Sequence, residues 1–400
     1  MPGPLAGIRV VELGVWIAGP AAAGILADWG ADVVKVEPPT GDPARQFAKI
    51  AGGDLPMNPA FELDNRSKRG IVVDLTTDEG RGLMDDLLDR ADVFVTNLRM
   101  DALERLGLDH ATVRARRPRL VYGLLTGYGM QGDERDRAAY DIGAYWARSG
   151  VAGMLTAPGQ SPPFQRGGMG DHGAAMNLAA AICAALVARN GPEGLGQVVS
   201  TSLLRHGMYQ IGFDVNTHVR MGVPIALGQR ETMGNPAMNC YRAGDERWFW
   251  LIGLEGERHW PALCRAVEHP EWLDDPRFAD ATGRREHAGA LVRLLDVAFA
   301  ARTRDEWGVA FDREDMWWAP VNVTEDVLSD PQAWAGGGFV EVPDGPSSVT
   351  MVNTPCDFLG TPTAARSMPP EPGQHTDAIL AELGKDVATI AHLRRTGAVA

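Results

Sequence analysis

Residues Ile8 to Pro39 constrain the chain more than any other stretch. Ile8-Arg9-Val10-Val11-Glu12-Leu13 is a β-branched run, Gly14 to Pro20 reads as a loop, and Ala21 to Trp29 reads as a helix stopped by Gly30. Asp32-Val33-Val34-Lys35-Val36-Glu37 is a second strand, ended by Pro38-Pro39. Strand, helix and strand in this order form a βαβ unit, and a crossover of that length requires a parallel sheet with a right-handed connection. The pattern continues with strands at Arg69–Leu75, Asp92–Thr96 and Arg119–Thr126 and a capped amphipathic helix over Thr77–Arg90. The fold class read from this is α/β, a doubly wound, Rossmann-like large domain over residues 1–218.

The texture changes near Val219. Tyr241 to Leu254 reads as a hairpin around Ala243-Gly244-Asp245-Glu246, and helices follow at Arg258–Val267, Arg284–Ala301 and Thr303–Phe311. Residues 219–330 are therefore assigned to a smaller α+β domain. A Gly- and Pro-rich C-terminal segment, 331–400, closes with an amphipathic helix from about Thr376 and is expected to return to the large domain.

Composition narrows the function. With 400 residues, 45% of them hydrophobic, the chain can bury a sizeable core, and the length is a soft prior for two domains. Its formal charge of -14 argues against nucleic acid and anionic membrane as partners, since both need clustered cations. Cys183, Cys240, Cys264 and Cys356 are widely separated, and the nine histidines show no HExxH spacing, so neither a disulfide framework nor a metal site is expected. The N-terminus shows no signal-peptide pattern, and the apolar run Ala174–Ala188 reads as too short to span a bilayer. The expectation is a cytoplasmic protein.

One acidic residue has a reactive setting. Asp171 follows Gly167-Gly168-Met169-Gly170 and precedes the run from Ala174. Small residues leave room for a bulky group, and free backbone N–H groups can stabilise an oxyanion. An Asp just before a helix is also an ordinary N-cap, and the two readings are compatible. His172 is set aside as structural, because neighbours in sequence seldom face one point.

A series of phrases resembles the class III CoA transferases, a family that also includes the α-methylacyl-CoA racemases. Pro4 to Leu13, Ala18-Gly19-Pro20, Leu26 to Pro38, Gly41-Asp42-Pro43 and Asn65-Arg66-Ser67-Lys68-Arg69 stand in the family's order. Thr96-Asn97-Leu98-Arg99, Leu103 to Leu108, Thr126-Gly127-Tyr128-Gly129, Tyr140-Asp141, Ser149-Gly150, Gly170-Asp171 and Gly194 to Val199 follow. The resemblance spans nearly the whole chain. It implies CoA transfer from an acyl-CoA to an acceptor carboxylic acid through a covalent anhydride and thioester on Asp171. It further implies a pocket including Trp16, Ile17, Tyr140, Met169 and Gly170. CoA contacts are implied at Arg45, Arg66, Lys68, Asn97, Leu98, Arg99 and Arg105, because guanidinium groups suit phosphate oxygens. Coenzyme A would be substrate, with no metal and no NAD. An intertwined homodimer is implied as well, with each site between the large domain of one chain and the small domain of the other.

Two departures matter. The racemases carry His in a Gly-His-Asp phrase where this chain has Ala139-Tyr140-Asp141, and a tyrosine of ordinary pKa near ~10 is a poor proton exchanger at neutrality. Some members carry a Gln where this chain has Ile17, which removes a contact used with formyl or oxalyl groups. Gly234-Asn235-Pro236 loosely resembles an active-site cover loop. Rival readings are a racemase, a nicotinamide-dependent oxidoreductase and a CoA-binding protein without catalysis. The oxidoreductase fails at Gly14-Val15-Trp16-Ile17-Ala18-Gly19, which has no GxGxxG. The apolar pocket segments, with Trp146 among them, point to an acyl group with a hydrophobic portion.

Overall fold

In the computed structural model, which describes residues 3–46, 58–225 and 228–400, the opening pattern becomes a parallel unit. β1 (Arg9–Leu13), α1 (Ala18–Asp28) and β2 (Asp32–Glu37) come first, with Val10 in register with Val33. α2 (Pro59–Asn65), β3 (Arg69–Val72), α3 (Asp78–Asp89) and β4 (Val93–Thr96) follow. Next are α4 (Met100–Leu106), α5 (His110–Arg116), β5 (Val121–Thr126), α6 (Val151–Met154), α7 (Met169–Arg189) and β6 (Val198–Ser202). The six strands lie in the order β3-β2-β1-β4-β5-β6, all parallel. Strand order reverses between β1 and β4, and in such sheets ligands sit outside the carboxyl ends of the strands at that point.

Both faces of the sheet are covered, which is why its strands read as apolar runs rather than alternating ones. One face packs under α1 and α7 through Ala21, Ala22, Ala174, Ala175, Leu178 and Ile182. The other packs under Leu83, Met84 and Leu87 of α3, Leu103 of α4 and Val113 of α5. Ile379 and Leu380 of a C-terminal helix join that second core. α1 is built of small residues because α2 lies against it. A Cβ on Gly24 would stand 2.5 Å from the Asp64 carbonyl oxygen.

Charges are buried where β1, β2 and the turn after α2 meet. Glu12 accepts from Lys35 Nζ at 2.9 Å and from Lys68 Nζ at 2.7 Å, and Lys35 also reaches Asp42 at 2.9 Å. Burial pushes Glu12 upward, yet the two lysines more than offset this and hold it below its ordinary range. Burial pushes Lys68 down to about 8, with Glu12 opposing and Lys35 assisting.

The first compact unit comprises Met1–Leu155, Pro162–Ile225 and Trp334–Ala400, and the second comprises Thr156–Ser161 and Ala226–Ala333. The divisions fall at 225/226 and 333/334, against 218/219 and 330/331 from the sequence. α8 (Leu203–Gln210) and α9 (Gly212–Met221) belong to the first unit. In the second, β7 (Cys240–Arg242) and β8 (Trp248–Leu251) form the expected hairpin. α10 (Gly256–Ala266), α11 (Ala281–Glu286), α12 (Ala288–Phe299), α13 (Arg304–Arg313) and β9 (Trp318–Pro320) complete its core, which is rich in rings such as Tyr241, Phe249, Phe299 and Phe311.

Several elements differ from the sequence reading, among them β6, which the sequence does not mark as a strand. The stretch 284–301 is two helices, separated at His287. The Gly- and Pro-rich tail holds an unexpected hairpin, Phe339–Asp344 with Ser347–Val352, turned at Gly345 with φ +57°. α7 begins five residues before Ala174, at Met169, so its 21 residues are long and apolar enough to cross a bilayer; here they pack on α1, β5 and β6.

Removing one partner from a buried ionic cluster strands the others without water. We expect Glu12→Gln to lower unfolding free energy by about 3–5 kcal/mol. Arg394→Ala, which breaks an exposed pair with Asp377, should cost under about 1 kcal/mol. Urea denaturation of both variants in one buffer checks the contrast.

Candidate active site

A cavity of about 350 Å³ opens at the carboxyl ends of β1, β4 and β5. Val15 and Trp16 follow β1, Asn97, Leu98 and Arg99 follow β4, and Leu125, Thr126 and Gly127 end β5. The loop Arg135–Tyr140, Leu203 of α8 and Asp171 of α7 complete the wall. This is the switch point that the strand order singles out.

The Trp16 loop is held by charge. Asn97 fixes Val15 from both sides, its Oδ1 accepting from Val15 N at 2.9 Å and its Nδ2 donating to Val15 O at 2.8 Å. Trp16 has φ +65°, unusual for a bulky residue, and its N–H donates to Asp42 Oδ1 at 3.0 Å. Asp42 is itself anchored on Lys35. The Trp16 ring meets Tyr140 edge-on, with centroids 5.6 Å apart, and Tyr140 is 61% exposed.

α7 presents Asp171 through two glycine contacts. A Cβ on Gly170 would fall 2.4 Å from the Tyr145 ring, and one on Gly173 would fall 2.2 Å from His206 Nε2. Tyr145 and His206 stack at 5.5 Å, so the first turn seats on a flat aromatic surface that only glycine admits. Gly168, with φ +75°, is the N-cap, which places Asp171 in the first turn rather than at the cap expected from sequence. Burial and then the Asp141 charge push the Asp171 carboxyl up to about 7, with His172 opposing. Asp141 is buried and accepts from Gln165 Nε2 at 2.6 Å and from Gly170 N at 3.3 Å.

Trp16, Asn97, Leu98, Arg99, Tyr140 and Asp171 thus share one cavity. Ile17 precedes α1 beside Gly168, and Met169 is a half-exposed first residue of α7. Arg99 is the N-cap of α4, its carbonyl accepting from Ala102 and Leu103 N–H, and it lines the cavity. Arg105 is on the surface, paired with Asp101 at 2.8 Å. Arg45 grips Glu37 through two nitrogens and lies over the Phe61 ring. Gly234-Asn235-Pro236 belongs to the second unit, where Asn235 donates to Gly253 O.

Arg66 and Lys68 need correction as phosphate ligands. Arg66 is buried, with Nε and Nη2 on Asp28 at 2.9 and 2.7 Å and Nη1 on Val352 O at 2.7 Å. Lys68 spends its three donors on Glu12, Pro20 O and Asn65. A phosphate could reach either only by displacing a buried carboxylate. The cavity cations that sequence reasoning missed are Arg135 and Arg137; the basic spacing in Glu134-Arg135-Asp136-Arg137 was the available signal.

A family model described as CoA-transferase family III matches residues 5–376. The (R)-2-hydroxy-4-methylpentanoate CoA-transferase of Clostridioides difficile is 34% identical over 96% of this chain and 96% of its own. The cinnamoyl-CoA:phenyllactate CoA-transferase of Clostridium sporogenes is 31% identical over 97% of this chain and 95% of its own. The crystal structure of a CAIB/BAIF family protein from Brucella suis superposes with a TM-score of 0.85 at 28% identity, covering 96% of this chain and all of that one. With the six-stranded parallel sheet and the Asp171 cavity in place, these matches settle the family: the chain belongs to CoA-transferase family III and transfers CoA.

Proposed function

We propose that the chain moves CoA from an acyl-CoA thioester to an acceptor carboxylic acid, with Asp171 as the covalent carrier. The observation that carries this reading is the Asp171 carboxyl in the wall of the switch-point cavity. An Asp171 oxygen attacks the thioester carbonyl carbon, the C–S bond breaks, and CoA leaves as thiolate from an aspartyl–acyl anhydride. The sulfur then attacks the aspartyl carbonyl, the anhydride C–O bond breaks, and the donor acid leaves as carboxylate. The acceptor carboxylate attacks the aspartyl-CoA thioester, expels thiolate and forms a second anhydride. Thiolate attack on its acceptor carbonyl releases the new acyl-CoA and restores the Asp171 carboxylate. No step gains or loses a proton.

Burial serves this chemistry because a desolvated carboxylate near neutrality is a stronger nucleophile than a solvated one. Trp16, Leu125, Ala138, Ala139, Tyr140 and Leu203 give the cavity an apolar side, which supports an acyl group with a hydrophobic portion. Arg99, Arg135 and Arg137 supply cations suited to the anionic part of CoA. The reading includes an interlocked homodimer in the cytoplasm. Tyr209 and Phe213, large and exposed on α8 and α9, support a covering partner chain.

Intact mass measurement after incubation with acyl-CoAs should reveal a CoA-sized or acyl adduct that hydroxylamine removes. Asp171→Ala should lack it and lose about 10³-fold or more in kcat. An adduct retained by the mutant would sink the reading. Transfer to branched or aromatic acids should outrun transfer to formate and oxalate, and equal rates would count against the apolar pocket.

Asp171 also sets two pH trends. Because its ionised form reacts, kcat/KM should rise with pH through about 7 and then level off. Its folded pKa lies above the ordinary 3.8, so the folded state binds the proton more tightly and stability from this group falls as pH rises from about 4 to 7. Asp171→Asn should therefore be more stable than wild type at pH 8 by about 1–3 kcal/mol, the gain fading towards pH 5. Thermal melts across that range check the sign.

A further inference from the structure

Beside the nucleophile stands a second pair of titratable groups that the transfer steps leave unused. His172 Nε2 lies 3.0 Å from Asp64 Oδ1. Asp64, near the end of α2, is 3% exposed, whereas the His172 side chain is 41% exposed. The other Asp64 oxygen, Oδ2, is buried without a hydrogen bond, so the imidazole is the only direct hydrogen-bond partner of this carboxyl side chain among the described residues.

A histidine in contact with a buried carboxylate invites the reading of a general base. The chemistry gives it nothing to do in that role, since every step exchanges acyl, carboxylate and thiolate without moving a proton. Each step does carry a negative charge on the attacking atom. A cation next to Asp171 therefore matters more than a base would.

We propose that Asp64 and His172 form an ion pair whose imidazolium favours the ionised form of Asp171 beside Asp141, which makes His172 a positioning residue that acts through charge. The proposal rests on the reading of Asp171 as the nucleophile. Lys68 and Lys35 act on Asp64; Asp171 and Asp141 act with Asp64 on His172; Arg99, Arg135 and Arg137 are the remaining charged side chains of the cavity wall. Burial pushes the imidazole down, but the Asp64 hydrogen bond and charge, then Asp171 and Asp141, more than offset it and leave His172 above its ordinary range. Burial pushes Asp64 up, against the pull of His172, Lys68 and Lys35.

The sign follows from this arrangement. While His172 is charged, its field favours the carboxylate form of Asp171 and opposes Asp141. Losing the charge shifts Asp171 towards the protonated, unreactive form, and the loss shows only on the acid side of the pH profile. Above the titration of His172, wild type and variants converge because Asp171 is ionised in all of them.

The test combines two measurements on the full chain. Histidine-labelled NMR follows His172 in wild type and Asp64→Asn without substrate. Steady-state kinetics then follow kcat/KM from pH 5.5 to 9 for wild type, Asp64→Asn, His172→Gln and His172→Lys. The expected result is a wild-type His172 titrating above its ordinary 6.5 and falling by about one unit in Asp64→Asn. With it, kcat/KM at pH 6.5 should drop about 3–10-fold in Asp64→Asn and His172→Gln, with near-equality at pH 9. His172→Lys, which restores a cation, should keep the wild-type acid limb. A wild-type His172 titrating at or below 6.5 overturns the proposal, as does an equal loss at every pH. So does an unmoved acid limb in both Asp64→Asn and His172→Gln. Absence of transfer from every thioester, alongside a raised His172, instead overturns the nucleophile reading and the proposal with it.

Discussion

The buried cluster of Glu12, Lys35, Lys68 and Asp42 is the constraint on which the site depends. Each member takes part in backbone geometry at a different place. Glu12 is on β1 and Lys35 on β2, so their pairing joins two neighbouring strands beneath the loop that leaves β1. Lys35 carries on to Gly14 O and Asp42, and Asp42 accepts the Trp16 N–H. Lys68 ties the turn after α2 to Pro20 O in the first turn of α1. Buried charges of this kind contribute little net stability compared with apolar substitutes, but they penalise every arrangement that separates them. The strained Trp16 backbone persists because its neighbours are fixed in this way.

From that loop the geometry passes to Asp171 through packing. Trp16 meets Tyr140, and Asn97 locks Val15, so the ends of β1 and β4 are held in fixed relation at the switch point. On the far wall, Gly170 and Gly173 let α7 settle onto Tyr145 and His206 so closely that a methyl group at either position would clash. Asp171 is thereby positioned by contacts that tolerate almost no volume change, on a regular helix rather than a mobile loop. Its carboxyl meets desolvation, the Asp141 charge and the His172 charge together, and their balance puts the group near neutrality.

What could be read from the chain in advance follows a physical division. Five of the six strands were legible because a sheet covered on both faces needs continuous apolar runs, and β-branched or aromatic runs such as Val33-Val34 and Val121-Tyr122 have few other uses; β6 does not read as a strand from sequence. Asp171 stood out through the family resemblance, since an Asp just before a helix is by itself an ordinary N-cap. The α7 start was not legible, because Gly168 and Gly170 look like loop residues until their close neighbours are known. Sequence alone also could not say which cations face the cavity. Arg66 and Lys68 look like surface residues in the phrase Asn65-Arg66-Ser67-Lys68-Arg69, and only the tertiary partners Asp28 and Glu12 reveal them as interior. Arg135 and Arg137 sit in a charged loop whose path nothing local determines.

The same division explains why His172 reads as structural in the sequence. Its neighbour in sequence is Asp171, and side chains one position apart on a helix point about 100° apart, which argues against joint action at one atom. Joint action at one atom is not what a proton-neutral transfer asks for. A field needs no line of attack, and a cation held nearby by a buried partner bears on Asp171 from any direction. Asp64 is 108 residues away in the chain, so the pair exists only once α1, α2 and α7 have packed together. The acidity of Asp171 is thus a property of the packed core, where the tight helix approach at Gly24 and the aromatic seat under Gly170 bear on a carboxyl that neither residue carries.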